Sequence, residues 1–412
     1  MSTSSEARKA GAPGSAVEHV NALTKRWLAA AGSDARVLSA LGVWPLLAFL
    51  ADGGDEETRA DLSAALGVRA EAAARAAREI LAIVEDTPAI RTAIGLWTRN
   101  DVRLREDWLG RLPAGVHGEL TGVPGDDQKR LNAWASEHTD GLIPQMPVEV
   151  DAYTMLVLAS ALLVTLTWRE RFTEGGTASA GPWADAQGAI RSLHRVTPDL
   201  DAVRVADTPI GRVTALTVEG DGDVDVHLVL GPADRSPADV LATGTDLLGS
   251  PRHPLTRGTE LPAGEAGPGI RVETVESFHN RDSLDVTTVP FRLAARHNLL
   301  QHAALFGLQR AQSGANGRFP GISARPLLVT KALQDAVAEF SATGFRAAAV
   351  TAIGMFGAAM PAQRYQVRHV AVTFDRPFAY YAVHRDSGLI LAAGWVAEPS
   401  RTPDQDVSSG SA

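Results

Sequence analysis

Apolar positions along the chain follow two periods, and the change from one to the other orders it. In the first third, Val17, Val20, Leu23, Trp27 and Leu28 recur at spacings of three and four, which predicts a helix with one buried face. Asp55-Glu56-Glu57 predicts the start of another, its acidic residues at the positive end of the helix. Leu62 and Leu66 supply its apolar stripe, and Gly67 its stop. Residues 127–138 repeat the pattern, with Leu131 and Trp134 on the buried side and Gly141 as terminator. Further on the period falls to two. Val224, Val226, Leu228 and Leu230 alternate with other residues, as in a strand buried on one face. Glu219-Gly220-Asp221-Gly222 predicts the turn that pairs this strand with 212–218. Residues 336–340 read as a strand, Val370, Val372 and Phe374 alternate again, and Ser387-Gly388 separates two further apolar strands. Residues 155–164 are continuously apolar and fit either a buried helix or a central strand; periodicity does not choose. The ends, 1–15 and 400–412, are rich in Ser, Gly, Ala and Asp and predict solvated tails. No linker or repeat interrupts 16–399, so one large domain is expected.

Composition narrows this picture more by exclusion than by assertion. The 412 residues can bury a large core. With 45% hydrophobic and 21% charged residues, wholesale disorder is excluded. Asp and Glu outnumber Lys and Arg by 48 to 39, for a net charge of −9, which argues against a nucleic-acid partner. Only Lys9, Lys25, Lys129 and Lys331 are lysines; the arginine excess reads as GC-rich coding rather than guanidinium chemistry. The absence of cysteine excludes disulfides, thiolate zinc sites and a cysteine nucleophile. Residues 1–15 lack the apolar core of a signal peptide. The uncharged run 152–168 is 17 residues long, short of the roughly 20 a spanning helix needs. A cytoplasmic protein with no membrane partner is therefore expected, with export by an unrecognised route as the alternative.

The usual catalytic signatures are missing. There is no phosphate loop, dinucleotide glycine fingerprint, nucleophile elbow or His-Glu-x-x-His zinc helix. Of the 11 histidines, His194, His227, His253 and His279 show no ligand spacing and are read as surface or structural. Asp221, Asp223 and Asp225 lack the glycine and distal glutamate of a calcium loop, so a solvated strand edge is expected. No catalytic set, metal site or cofactor is predicted.

One stretch is physically odd. Residues 342–361 carry a single charge, Arg346, and mostly small side chains, between two predicted strands where a connection should be short and polar. Such a segment suits exposure in one state and burial in another. With its flanks it resembles the reactive-centre loop of the serpins, a family of serine protease inhibitors, and a bacterial-type member in particular. Phe374-Asp375-Arg376-Pro377-Phe378 with Tyr380 and Tyr381 is similar to the family's signature strand. Gly388-Leu389-Ile390-Leu391 and Gly394-Trp395-Val396 through Pro399 resemble its closing hairpin. Upstream, Val289-Pro290-Phe291, Leu300, Gly307, Phe319 and Gly321-Ile322-Ser323 resemble the stretch before the loop. Leu131-Asn132-Ala133-Trp134 with His138-Thr139-Asp140-Gly141-Leu142-Ile143, and Trp168 with Phe172, resemble the family's segments around its long central strand.

The resemblance implies an α+β serpin domain over 16–399: a helical N-terminal part packed on a large central sheet, two further sheets, and an exposed reactive-centre loop at about 344–368. It implies no enzyme activity. The loop baits a serine protease, and once cut it inserts into the central sheet and drags the acyl-linked enzyme with it. Serpin loop insertion is itself a standing example of strand addition. Each backbone hydrogen bond gained contributes a net ~0.5–1.5 kcal/mol, so the intact fold is kinetically held. The hinge would comprise Gly344, Phe345, Arg346, Ala347, Ala348 and Ala349, with Phe345, Ala347, Ala349 and Thr351 pointing inward. Inhibitory members usually carry threonine or serine at Phe345, and the ring's bulk is expected to slow the first step. The scissile bond would fall at Ala358–Ala359, suiting an elastase-like or subtilisin-like protease. Met355–Phe356 is an alternative, and a bond after Arg364 would imply a trypsin-like one. The sheet-opening region would contain Ser39, Gly42, Ser160, Trp168 and Gln334. Here Ala40 and Gly42 replace a proline and a serine, Ser160 an asparagine, Gln334 a histidine, and Ala342 the hinge glutamate. A monomeric inhibitor acting as a suicide substrate is expected, with a non-inhibitory carrier or protease substrate as the alternative.

Overall fold

Three sheets and seven helices make up the described part of the chain. The computed structural model describes residues 16–400 apart from 140, 142, 147–148, 178–182, 184–190, 249–252, 315–316 and 346–363. The expected tails, apart from Ser400, and the loop positions Arg346, Ala347, Ala348, Ala349, Met355, Phe356, Ala358 and Ala359 lie outside the described residues.

With strands numbered in chain order, the largest sheet runs β2 (His117–Leu120), β1 (Ile90–Arg99), β3 (Leu156–Val164), β15 (Lys331–Phe340), β16 (Gly344–Phe345) and β4 (Leu166–Thr167). β14 (Phe291–Asn298) pairs with β15 as well. A second sheet is β10 (Leu255–Arg257), β7 (Val203–Thr208), β8 (Gly211–Glu219), β9 (Val224–Leu230), β18 (Phe378–His384) and β19 (Ile390–Val396). The third is β11 (Gly264–Gly267), β12 (Ile270–Ser277), β17 (Tyr365–Thr373), β13 (Ser283–Thr288), β6 (Arg191–Thr197) and β5 (Thr173–Thr177). The helices are α1 (Ala16–Ala31), α2 (Ala40–Ala51), α3 (Glu56–Leu66), α4 (Ala70–Glu85), α5 (Glu106–Leu109), α6 (Pro124–His138) and α7 (Pro237–Leu248). Among the described residues no helix is long and apolar enough to cross a membrane, and no metal-holding cluster of His, Asp and Glu occurs.

Local chemistry explains the elements that were predicted. The Asp55 side chain accepts from the Thr58 N–H at the start of α3, and Gly67 ends it at φ +72°, a conformation that favours glycine. The β8–β9 hairpin and the β18–β19 pair form at the expected turns. Residues 155–164 resolve as the strand β3, every residue of which is buried. Its even positions face α2, itself buried along its whole length, whereas Val157, Ala159 and Ala161 pack beneath α6 with Leu131, Ala135 and Leu333. Covering on both faces removes the alternation and leaves a continuous apolar run.

Three expectations need correction. β9 is buried on both faces, not one: between its apolar positions, Asp225 is held in an ion pair by Arg385. Trp134 is only half-buried, edge-on to Trp97 at 5.9 Å. The strand read at 336–340 begins at Lys331, because Gln334 and Asp335 find partners inside the fold.

His227 on β9 gives the fold a pH dependence. Burial pushes its pKa down to about 4, although the residue as a whole is only half-buried. Since the folded pKa lies below the unfolded value, its contribution is complete above about pH 6.5. It is lost as pH falls from there toward 4, to a maximum of about 3 kcal/mol. Urea unfolding at pH 7 and pH 4.5 should show that loss, and His227→Gln should flatten it.

Candidate sheet-opening site and loop foot

The parallel seam between β3 and β15 is where a new strand of the large sheet would enter. It pairs Lys331 with Val157 through to Ala336 with Leu162. Beyond Ala336 the strands part, and β16 fills the gap: Phe345 lies opposite Phe340 of β15 on one side and Leu166 of β4 on the other. Phe345 is 1% exposed, with its ring 6.2 Å from that of Tyr380.

Ser39, Gly42, Ser160 and Gln334 meet beneath the seam. Gln334 Nε2 donates to the Ser39 carbonyl at 2.8 Å and to Ser160 Oγ at 3.1 Å, while its Oε1 accepts the Ser39 N–H at 3.0 Å. Ser39 Oγ donates onward to the Leu391 carbonyl at 2.5 Å. Ser39 is the residue before α2, so one glutamine ties β15 to the buried helix and to β3, and Ser39 extends the tie to β19. A β-carbon at Gly42 would lie 2.8 Å from Gln334 Nε2 and 3.0 Å from Ser160 Oγ. Glycine there leaves room for glutamine. Buried polar groups satisfied in this way hold an arrangement more firmly than their number suggests.

Trp168 does not join this cluster. It belongs to the other end of the seam, where its indole Nε1 donates to the Ser341 carbonyl at 2.9 Å and its N–H to Thr343 O at 3.1 Å. Its ring is 4.8 Å from Phe340, and Phe172 completes the packing with its N–H on the Ala342 carbonyl. Ala342 is half-buried against this apolar wall.

Sequence reasoning missed Ser341 and Thr343, whose carbonyls hold Trp168, and Arg195, whose guanidinium lies 4.7 Å over the Phe172 ring. Only the turn-forming Ser-x-Thr-Gly before Phe345 offered a signal. Asp335 was also unforeseen. It faces away from Gln334 on the same strand, 3.3 Å from Arg296, and burial pushes its carboxyl above the usual carboxylate range.

At the far foot of the loop, Arg364 Nη1 pairs with Glu276 Oε2 at 2.9 Å, and its guanidinium lies 5.2 Å over the Phe278 ring. The next residue, Tyr365, opens β17 and pairs with Ser277 of β12.

The profile of the Serpin (serine protease inhibitor) family matches residues 20–190 and 271–399, well over half of the chain. The chain belongs to the serpin family. This serpin is 26% identical to serpin-Z6A of Oryza sativa subsp. japonica over 387 residues, 89% of this chain and 94% of that one. It is 25% identical to the leukocyte elastase inhibitor of Bos taurus over 293 residues, 67% and 68% of the two chains. In fold it is similar to human thyroxine-binding globulin complexed with thyroxine, at a TM-score of 0.70 and 14% identity, covering 94% and 98% of the chains. Relatives from a plant, mammals and an archaeon are among the matches, and these lend the bacterial-type expectation no support. Many members of the family are protease inhibitors; enzyme activity is not the family's business.

Proposed function

We propose that this serpin inhibits a serine protease as a suicide substrate. The protease would cut within 346–363, and the freed segment would enter the β3–β15 seam. The observation that carries this function is the register of Phe345 between Phe340 and Leu166. Continued residue by residue, it would set Arg346 opposite Glu339 on the outer face and Ala347 between Ala338 and Val164. Ala349 would fall between Ala336 and Leu162, and Thr351 between Gln334 and Ser160. These last two pairs are the ones that face each other across the closed seam. After Phe345, the inward positions Ala347, Ala349 and Thr351 are then small, with the larger Ile353 following, and the one charge meets a carboxylate. Thr351 would supply a hydroxyl to the two side chains whose bond it parts.

The primed side of a scissile bond must lie extended and unpaired in a protease cleft. After Arg364 it would not, because Tyr365, Gln366 and Val367 are paired to β12. That disfavours a trypsin-like target and leaves the apolar residues upstream. Ala358–Ala359 and Met355–Phe356 both suit an enzyme with an apolar pocket, elastase-like or subtilisin-like, in keeping with the name of the bovine relative. Incubation with elastase, subtilisin and trypsin should give a gel-stable adduct with one of the first two. Mass mapping should place the cut within 346–363, and the cleaved chain should melt far above the intact one. A cut after Arg364, or cleavage without adduct, would overturn this. The rewritten Ser39–Ser160–Gln334 cluster favours one second reading, a non-inhibitory protease substrate or carrier that keeps the seam closed. It predicts an unchanged melting temperature after cleavage.

A further inference from the structure

β4 is two residues long, yet it forms one wall of the gap that holds Phe345. Two residues supply too few bonds to keep a place in a sheet unaided. The edge of β4 away from β16 is held instead by the β8–β9 turn of the second sheet. There Trp168 bridges to Gly220, the Asp221 N–H donates to the Thr167 carbonyl at 3.0 Å, and the Arg169 N–H to the Glu219 carbonyl at 3.0 Å. Side chains repeat the tie, Thr167 with Asp221 and Arg169 with Glu219. A β-carbon at Gly220 would lie 2.3 Å from the Val224 carbonyl oxygen and 3.1 Å from Leu166 Cδ1, so glycine lets the turn close against β4. One ion pair in turn holds the turn. Asp225 on β9 is 6% exposed. Arg385, between β18 and β19, meets both of its oxygens, Nε to Oδ2 at 2.9 Å and Nη2 to Oδ1 at 2.6 Å. The same Nη2 donates to the Gly220 carbonyl at 3.1 Å, and Asp225 Oδ1 accepts the Gly220 N–H at 3.3 Å. Both backbone groups of the residue that bridges to Trp168 therefore end on this pair, and a bidentate pair fixes geometry as well as charge.

We propose that Asp225 and Arg385 are positioning residues for strand entry. Through the β8–β9 turn they hold β4 two strand spacings from β15, roughly 10 Å, so the gap stands at the width of one strand. The inference rests on the proposed function only in requiring that this gap take a strand. A seam that is merely loosened parts more easily and takes a strand faster. A wall that has lost its anchor no longer keeps the gap at strand width, and entry slows. The two roles predict opposite signs.

The test follows uptake of a synthetic peptide of residues 346–354 by the full chain, by its Arg385→Met variant and by the double variant Asp225→Asn with Arg385→Met. Arg385→Met leaves a buried carboxylate unpaired and should lose stability; the double variant leaves no such charge and should recover it. Both should nevertheless take up the peptide about fivefold more slowly than the wild type. Amide exchange at Arg169 and Asp221 should quicken about tenfold in both, with that of the β3–β15 seam unchanged. Uptake by the double variant at the wild-type rate or faster overturns the inference, as does unchanged exchange at Arg169 and Asp221. Slowed uptake in both variants, with no covalent protease adduct from the wild type, upholds the pair and overturns the inhibitory function. If the wild type takes up no peptide, both fall.

Discussion

Under the proposed inhibitory function, replacing Phe345 by glutamate is expected to leave a plain substrate. Cleavage should continue, because the peptide bond and the protease cleft are untouched, but the gel-stable adduct should disappear. Phe345 is buried among Phe340, Leu166 and Tyr380 and heads the segment that would enter. A carboxylate there has no partner among these apolar groups, and burying an unpaired charge costs far more than one strand residue returns. The hinge would be driven out of the gap, and hydrolysis of the acyl-enzyme would outrun insertion. Phe345→Thr separates size from charge and should retain the adduct, with a slower or faster rate read by stopped-flow. Adduct formation by Phe345→Glu at the wild-type level would remove the hinge from the mechanism.

Gln334→Ala should loosen the seam. It strips the partner from the Ser39 N–H, one of two donors from the Ser39 carbonyl, which keeps the Gly42 N–H, and the Gln334 amide from Ser160 Oγ, all buried. The Ser39 N–H left unsatisfied costs about 1–3 kcal/mol, so the intact form should lose roughly that much in denaturant unfolding. A synthetic peptide of residues 345–354 should be taken into the sheet at least tenfold faster, followed by the rise in melting temperature that strand addition brings. Ser160→Ala alone should do less, and the double variant should fall short of the sum because the two side chains share one bond. Unchanged peptide uptake in Gln334→Ala would show that the seam is held elsewhere.

How far the chain could be read from its letters depended on how local the cause was. The limits of α3 follow from Asp55 and Gly67, and the β8–β9 hairpin from a four-residue turn. β3 could not be told from a helix because α2 and α6 cover its two faces. β1 was not foreseen; it too has neighbours on both sides and shows no clean alternation. At the candidate site, Ser39, Ser160 and Gln334 were named from resemblance, but their contact joins residues 295 positions apart in the chain and has no local signature. The burial of Phe345 was out of reach for the same reason. Whether a phenylalanine fits there depends on the width between Phe340 and Leu166, a dimension no spacing of residues encodes.

The pairing of Phe345 also works as a ruler. Counted from it, the strand that would fill the seam comes level with Lys331 and Val157, the last pair to be parted, at Gly354. Nine residues, 346–354, are therefore the least that a severed arm must contain, about 30 Å at the rise of an extended strand. A bond broken before Gly354 would leave the enzyme stranded part-way along the sheet. Cuts at Met355–Phe356 or Ala358–Ala359 both give an arm that reaches the far edge, the second with four residues to spare.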